Sequence, residues 1–213
     1  MEVKKFIKAL KQIGIDSFFG VPDSLMSDLS KYLEFENEEN IKHVITQNEG
    51  SAVGMAIGNF LSTKTPSAVY LQNSGLGNIV NPLASLASDK VFSIPILLII
   101  GWRGEPNTKD EPQHYFQGEI TLEQLKLLNI NYIILNTNED IDIQQIKQTL
   151  DKNKSIALII KKNYFKKDVR KFSNNHNKLS RVEVIKYLLE KYDKDAIFVS
   201  TTGKTSRELY ELN

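Results

Sequence analysis

Ile96-Leu97-Leu98-Ile99-Ile100 is an unbroken run of branched aliphatic residues closed by Gly101. A strand with one wet face alternates apolar and polar side chains. A strand without that alternation is covered on both faces, as in a parallel sheet flanked by helices. Working outward, apolar spacing switches between helix and strand along most of the chain. Val3, Phe6, Ile7, Leu10 and Ile13 predict a helix that Gly14 stops. Strands are predicted at Ser17–Val21, Lys42–Thr46, Ser67–Gln72, Ile94–Ile100, Tyr132–Leu135 and Ser155–Ile160. Between them fall helices at Ser24–Leu33, with Asp23 or Ser24 as cap, and at Glu49–Leu61, capped by Asn48. Further helices are predicted at Asn78–Ser88, with Pro82 in about its first turn, Thr121–Leu128 and Glu139–Leu150. The expectation is a doubly wound α/β domain with a parallel sheet of about six strands and helices on both faces.

Length and composition set the bounds. The 213 residues, 41% hydrophobic and 25% charged, suit one full domain and part of another. Net charge +1 gives no reason to expect nucleic acid. The absence of cysteine excludes disulfide scaffolds, thiolate zinc sites and cysteine nucleophiles. No apolar run is long enough to span a membrane. Met1-Glu2-Val3-Lys4-Lys5 leads into an amphipathic pattern, so no signal peptide and a cytoplasmic location are expected.

The domain is expected to occupy residues 1–162. Residues 163–179 follow as a polar linker, because the basic run from Lys161 to Lys171 lacks the interleaved aromatics of a nucleic-acid surface. Residues 180–213 then begin a second domain: a helical stripe at Val182, Ile185, Leu188 and Leu189, a strand at Ala196–Ser200 and a short helix to Asn213. One strand between two helices cannot stand as a domain.

Ligands of doubly wound sheets sit beyond the carboxyl ends of the strands. The segments to search are therefore Gly20–Ser24, Gln47–Gly50, Asn73–Asn78 and Gly101–His114. Gly203-Lys204-Thr205 is no phosphate loop, since Phe198 stands where its first glycine belongs. Gly75-Leu76-Gly77 lacks the third glycine of the dinucleotide fingerprint, that place being Val80. Its polar surroundings, Asn73, Ser74, Asn78 and Asn81, favour a ligand over a plain turn. Asp110-Glu111-Pro112-Gln113-His114 has no second histidine near it, and Pro112 disfavours the helix a zinc motif requires, so no metal is expected in this chain. Trp102, Arg103 and His114 offer an indole, a planar cation and an imidazole to a substrate, and Arg103 matches a carboxylate or phosphonate. Glu49 opens a helix rich in small residues, either as an ordinary helix-start carboxylate or as a functional one.

Taken together, Gly20-Val21-Pro22-Asp23-Ser24-Leu25, Gln47-Asn48-Glu49-Gly50-Ser51-Ala52, Gln72-Asn73-Ser74-Gly75-Leu76-Gly77-Asn78, Gly101-Trp102-Arg103-Gly104 and Asp110-Glu111-Pro112-Gln113-His114 resemble the thiamine diphosphate-dependent decarboxylases. The resemblance is to the phosphonopyruvate and sulfopyruvate decarboxylase type, and it covers about residues 1–160. It implies a pyrimidine-binding (PYR) domain in which Glu49 hydrogen-bonds the cofactor ring nitrogen N1′. Sharing that proton favours the imino tautomer, which generates the ylid that attacks a 2-keto acid. The resemblance places Pro22, Asn73, Ser74, Gly75, Gly77 and Asn78 along the cofactor, Asp23 and Ser24 near the reacting carbon, and Trp102, Arg103 and His114 at the substrate's anionic group.

The implied reaction is decarboxylation of 3-phosphonopyruvate to phosphonoacetaldehyde, as a step of phosphonate biosynthesis, in a homodimer or higher homo-oligomer. Sulfopyruvate decarboxylation and a non-catalytic assembly subunit are the alternatives. The family's pyrophosphate-binding (PP) domain carries Gly-Asp-Gly, which does not occur here. The magnesium ligands and diphosphate anchor are therefore expected from a PP domain or subunit, and the chain is expected to be inactive alone.

Overall fold

The computed structural model describes residues 1–213 except 36–39, 138, 168–178, 194, 202 and 213. Most of the basic run's second half, His176 and Thr202 thus lie outside the described residues. The chain divides into two units, Met1–Arg170 and Lys171–Asn213.

In the first unit the elements follow as α1 (Val3–Gln12), β1 (Ser17–Gly20), a 3-10 turn (Ser24–Met26) leading into α2 (Ser27–Phe35), β2 (Lys42–Ile45), α3 (Glu49–Thr63) and β3 (Ser67–Gln72). Then come a second 3-10 turn (Asn73–Gly75), α4 (Leu76–Pro82), β4 (Ile96–Gly101), α5 (Pro112–Leu127), β5 (Asn131–Leu135), α6 (Ile143–Leu150) and β6 (Ile156–Ile160). The six strands form one sheet in the order β2-β1-β3-β4-β6-β5, every pair parallel.

The aliphatic run of β4 lies at the centre and is buried throughout. Its side chains alternate between two cores, because successive residues of a strand point to opposite faces. Leu97 and Ile99 join Phe6, Leu10, Leu29 and Ile146 from α1, α2 and α6. Ile96, Leu98 and Ile100 join Ala52, Val53, Leu76, Ile79 and Leu125 from α3, α4 and α5. Each face is thus closed by three helices, and the carboxyl ends of β1, β2, β3, β4 and β6 open at one rim.

Several expectations are corrected. Pro112 opens a helix: it stands in the first turn of α5, where its missing N–H breaks no intrahelical bond. The helix expected from Thr121 therefore starts nine residues earlier and absorbs His114, Gln117 and Gly118. Pro82 closes α4 instead of sitting near its start, and a five-residue π-helical turn follows at Leu83–Ala87. Asp23 occupies the cap position before the 3-10 turn but makes no capping hydrogen bond. Asn48 does cap α3, accepting from the Ser51 amide at 2.9 Å.

In the second unit, α7 (Arg181–Lys191) begins with a reciprocal capping box between Ser180 and Glu183. Arg181 grips Glu208 of α8 (Lys204–Leu212) through two hydrogen bonds of 2.5 and 2.6 Å. The expected strand at Ala196–Ser200 is not formed. Ile197 and Val199 are 90% and 93% exposed, and a strand needs a neighbour to bond its backbone.

Candidate cofactor and substrate site

Glu49 is delivered by the end of β2 and the start of α3. Thr46 fixes the turn: its amide and hydroxyl both donate to the Gly20 carbonyl, at 2.9 and 3.3 Å, tying the exit of β2 to β1. The Glu49 carboxyl reaches across to the turn after β3. There Asn78 donates to Oε2 at 2.6 Å. The other oxygen, Oε1, faces Gly75, where a Cβ atom would fall on the carboxyl group. Gly75 is therefore required by contact. Gly50 is required similarly: a Cβ there would come within 2.9 Å of the Asn78 carbonyl, which Pro82 leaves without its usual helical donor. Gly77 differs, having open space where its side chain would be.

Asn73 is fully buried, and its side chain is engaged within the protein. Its Nδ2 donates to the Arg103 carbonyl at 2.7 Å and to Thr121 Oγ1 at 2.9 Å, while its Oδ1 accepts from the Arg103 amide at 3.2 Å. Gln117 Nε2 donates to the Asn73 carbonyl at 2.9 Å. Asn73 thus ties the end of β3 to the loop after β4 and to α5. Ser74 is exposed beside it and accepts from Gln72 Nε2 at 2.7 Å. Thr121 and Gln117 were not singled out in the sequence. Their signal, two polar residues four apart on the inner side of a helix, is hidden in a sequence where Pro112 reads as a helix breaker.

The loop after β4 is closed by its own ion pair. Arg103 Nε donates to Asp110 Oδ2 at 2.8 Å and its Nη2 to Oδ1 at 2.5 Å, a bidentate fork. Asp110 also accepts from the Gly104 and Glu111 amides, both at 2.8 Å. The Arg103 hydrogen bonds, aided by those amides, hold the Asp110 carboxyl well below the usual carboxylate range. The remaining nitrogen, Nη1, donates to Ser24 Oγ at 3.0 Å. Trp102 is 8% exposed, and its indole N–H donates to the Gly118 carbonyl at 2.9 Å. Gly104, in a left-handed conformation at φ +67°, lies against the His114 carbonyl, and Gly118 against the Gly104 carbonyl. The indole and this glycine pair lock the loop onto α5, with His114 in the helix's first turn.

Asp23 is the anomaly of the rim. It is 5% exposed, and neither carboxyl oxygen has a hydrogen-bond partner among the described residues. Its Oδ2 lies where a Cβ of Gly101 would stand. Burial pushes its carboxyl up, opposed by nearby amides and the Arg103 charge. Pro22 is exposed beside it.

Between the start of α2 and the loops after β4 and β6 lies a cavity of about 290 Å³. Ser24, Arg103 and Asp110 line it together with Lys109, Lys162 and Lys167, lysines that the sequence reading did not assign to a site. Among the described residues, no cluster of three His, Asp or Glu is placed to hold a metal. No helix among them is long and apolar enough to cross a membrane.

A parallel sheet closed by helices on both faces, with the Glu49 carboxyl set against a glycine turn at its rim, defines a doubly wound α/β domain. Residues 3–127 match the family described as thiamine pyrophosphate enzyme, N-terminal TPP binding domain, and the chain belongs to that family. It is 29% identical to a phosphonopyruvate decarboxylase of Streptomyces viridochromogenes over 97% of this chain and 56% of that protein. It is 32% identical to a sulfopyruvate decarboxylase subunit alpha of Methanococcus maripaludis over 62% of this chain and 76% of that subunit. Benzoylformate decarboxylase from Polynucleobacter necessarius shares the fold, with a TM-score of 0.58 and 16% identity over 90% of this chain and 36% of that one. The chain spans about half the length of the phosphonopyruvate decarboxylases it matches.

Proposed function

We propose that this chain contributes the PYR half of a thiamine diphosphate site that decarboxylates a short anionic 2-keto acid, 3-phosphonopyruvate, to phosphonoacetaldehyde and CO₂. The observation that carries the proposal is the Glu49 carboxyl, anchored on one oxygen by Asn78 and set against Gly75 on the other. An aminopyrimidine nitrogen needs such a partner, a fixed carboxyl with one oxygen left to share a proton, so the donor set fits. Bound thiamine diphosphate supplies a thiazolium carbon that adds to the keto carbon and accepts the electron pair left by CO₂.

The chain's own residues divide the remaining work. Glu49 Oε1 holds or gives up a proton at N1′. Asn78 orients Glu49, Gly75 makes room for the Glu49 carboxyl beside the cofactor, and Gly77 lets the cofactor approach the backbone. Asn73 is assigned to positioning, since its amide is already spent on Arg103 and Thr121. Asp23, whose carboxyl burial pushes up, lies near the reacting carbon, with Ser24 exposed beside it. Trp102 and His114 shape the loop behind them.

Magnesium and the diphosphate are held by a PP domain or partner subunit, and this chain is inactive without it. The sulfopyruvate decarboxylase alpha subunits among the relatives support a divided arrangement. A homodimer or higher assembly is supported by Met55, Leu61 and Val80, apolar and exposed on α3 and α4. The same relatives favour a second reading, decarboxylation of sulfopyruvate. CO₂ release by the chain completed with a PP domain, thiamine diphosphate and Mg²⁺ tests both. Turnover of phosphonopyruvate over sulfopyruvate supports the first reading, the reverse the second, and turnover of neither contradicts the function.

A further inference from the structure

The bidentate pair with Asp110 leaves Arg103 poorly placed to be the main anchor of a substrate anion, since both ends of its fork are occupied. The cavity beside it offers a different set of charges. Three carboxylates line it, and each is engaged: Asp110 by Arg103, Glu105 by Lys161 and Asp28 by Lys31 at 3.9 Å. Lys161 and Lys31 are not among the lining residues. Lys109, Lys162 and Lys167 are, and among the described residues none of the three has a carboxylate within 4.0 Å. The cavity therefore carries an excess of positive charge even though it contains acids.

Ser24 adds a directed donor. Its Oγ accepts from Arg103 Nη1, so its own hydrogen is free to be given to a ligand. Asp23, the preceding residue, is 5% exposed and is not among the residues that line the cavity. Lysine ammonium groups act as point charges, suited to a tetrahedral head that can turn in place.

We propose that this cavity seats the distal oxyanion head of the substrate, with Lys109, Lys162 and Lys167 supplying the charge and Ser24 a hydroxyl donor, and that it favours a doubly charged phosphonate over a singly charged sulfonate. The proposal deepens the decarboxylase reading and rests on it. Attraction to three cations grows with the charge of the ligand and weakens with added salt.

The test uses the full chain, without cofactor, titrated calorimetrically with methylphosphonate and with methanesulfonate in low salt at mildly alkaline pH. Methylphosphonate should bind saturably, about tenfold or more tightly than methanesulfonate, and weaken as salt is raised. Lys162→Ala combined with Lys167→Ala should lose about tenfold or more. Both positions are exposed, so the double variant should fold, and an unchanged melting curve verifies it. Lys147→Ala, in α6 and paired with Asp151, should bind as the parent does. No saturable methylphosphonate binding, undiminished binding in the double variant, or equal affinity for the two probes would overturn the proposal. Because no cofactor is present, these results are separate from CO₂ release by the completed enzyme. Turnover of neither keto acid alone removes the decarboxylase reading and leaves an oxyanion site.

Discussion

Arg103 and Asp110 grip each other across the loop that follows the central strand, through two hydrogen bonds of 2.8 and 2.5 Å. Their side chains are 19% and 15% exposed, so removal of one leaves the other partly buried and unpaired. Arg103→Ala or Asp110→Asn should cost about 1–3 kcal/mol in denaturant unfolding. Because the folded carboxyl of Asp110 is depressed, its contribution is full above the unfolded value near 3.8 and lost as pH falls through the folded value. A double variant no less stable than either single one is expected, since the interaction can be lost only once. Additive losses would show that the pair is not coupled.

Asp23 has the opposite sign. Its folded carboxyl is raised by burial, so it favours the fold below the unfolded value near 3.8 and loses that contribution as pH rises through the folded value. Asp23→Asn removes the ionisation. At neutral pH the variant should be more stable than the parent by about 1–3 kcal/mol, with the difference shrinking as pH is lowered. Urea unfolding at several pH values measures it, and parallel curves at all pH values would show that Asp23 does not titrate.

His43, in β2, provides a third pH signature. Its Nε2 lies 2.8 Å from the Tyr70 hydroxyl, and burial lowers its pKa. A histidine lowered on folding stabilises the neutral form, so stability should fall as pH drops below the unfolded value of about 6.5. His43→Gln should flatten that acid limb. An unchanged limb would assign it to other groups.

Two glycines of one turn should respond oppositely. Gly75→Ala puts a methyl group on the Glu49 carboxyl and should cost about 1–3 kcal/mol or displace Glu49. Gly77→Ala meets nothing in this chain and, in a helix, should keep or gain up to about 1 kcal/mol. On the proposed function it still loses thiamine diphosphate affinity, because the cofactor needs that space. Calorimetric melting paired with cofactor titration separates the two effects, and Gly77→Ala binding cofactor normally would place the cofactor elsewhere.

The sheet was legible because its information is local. Ile96–Ile100 announces two-sided burial by itself, and Asn48 announces the start of α3 by its side-chain chemistry. Glu49 and the glycine turn could be picked out by their position at strand ends, but the reason for Gly75 could not. It lies in a carboxyl group 26 residues away in sequence. Arg103 read as a free cation because nothing in the sequence says that Asp110 will fold back onto it. Pro112 is ambiguous in the sequence, since the same residue breaks a helix in its interior and begins one at its first turn. Ala196–Ser200 has strand-like residues but pairs with no strand among the described residues, and pairing is not a property of a segment alone.

Glu49 exchanging a proton with the ring nitrogen of bound thiamine diphosphate is the central step of the proposed function. Hydrogen–deuterium exchange at the reactive thiazolium carbon reports that step directly in the chain completed by a PP domain. Glu49→Gln should slow the exchange by about 10²–10⁴-fold, with cofactor still bound. Exchange at the parental rate in that variant would contradict the account.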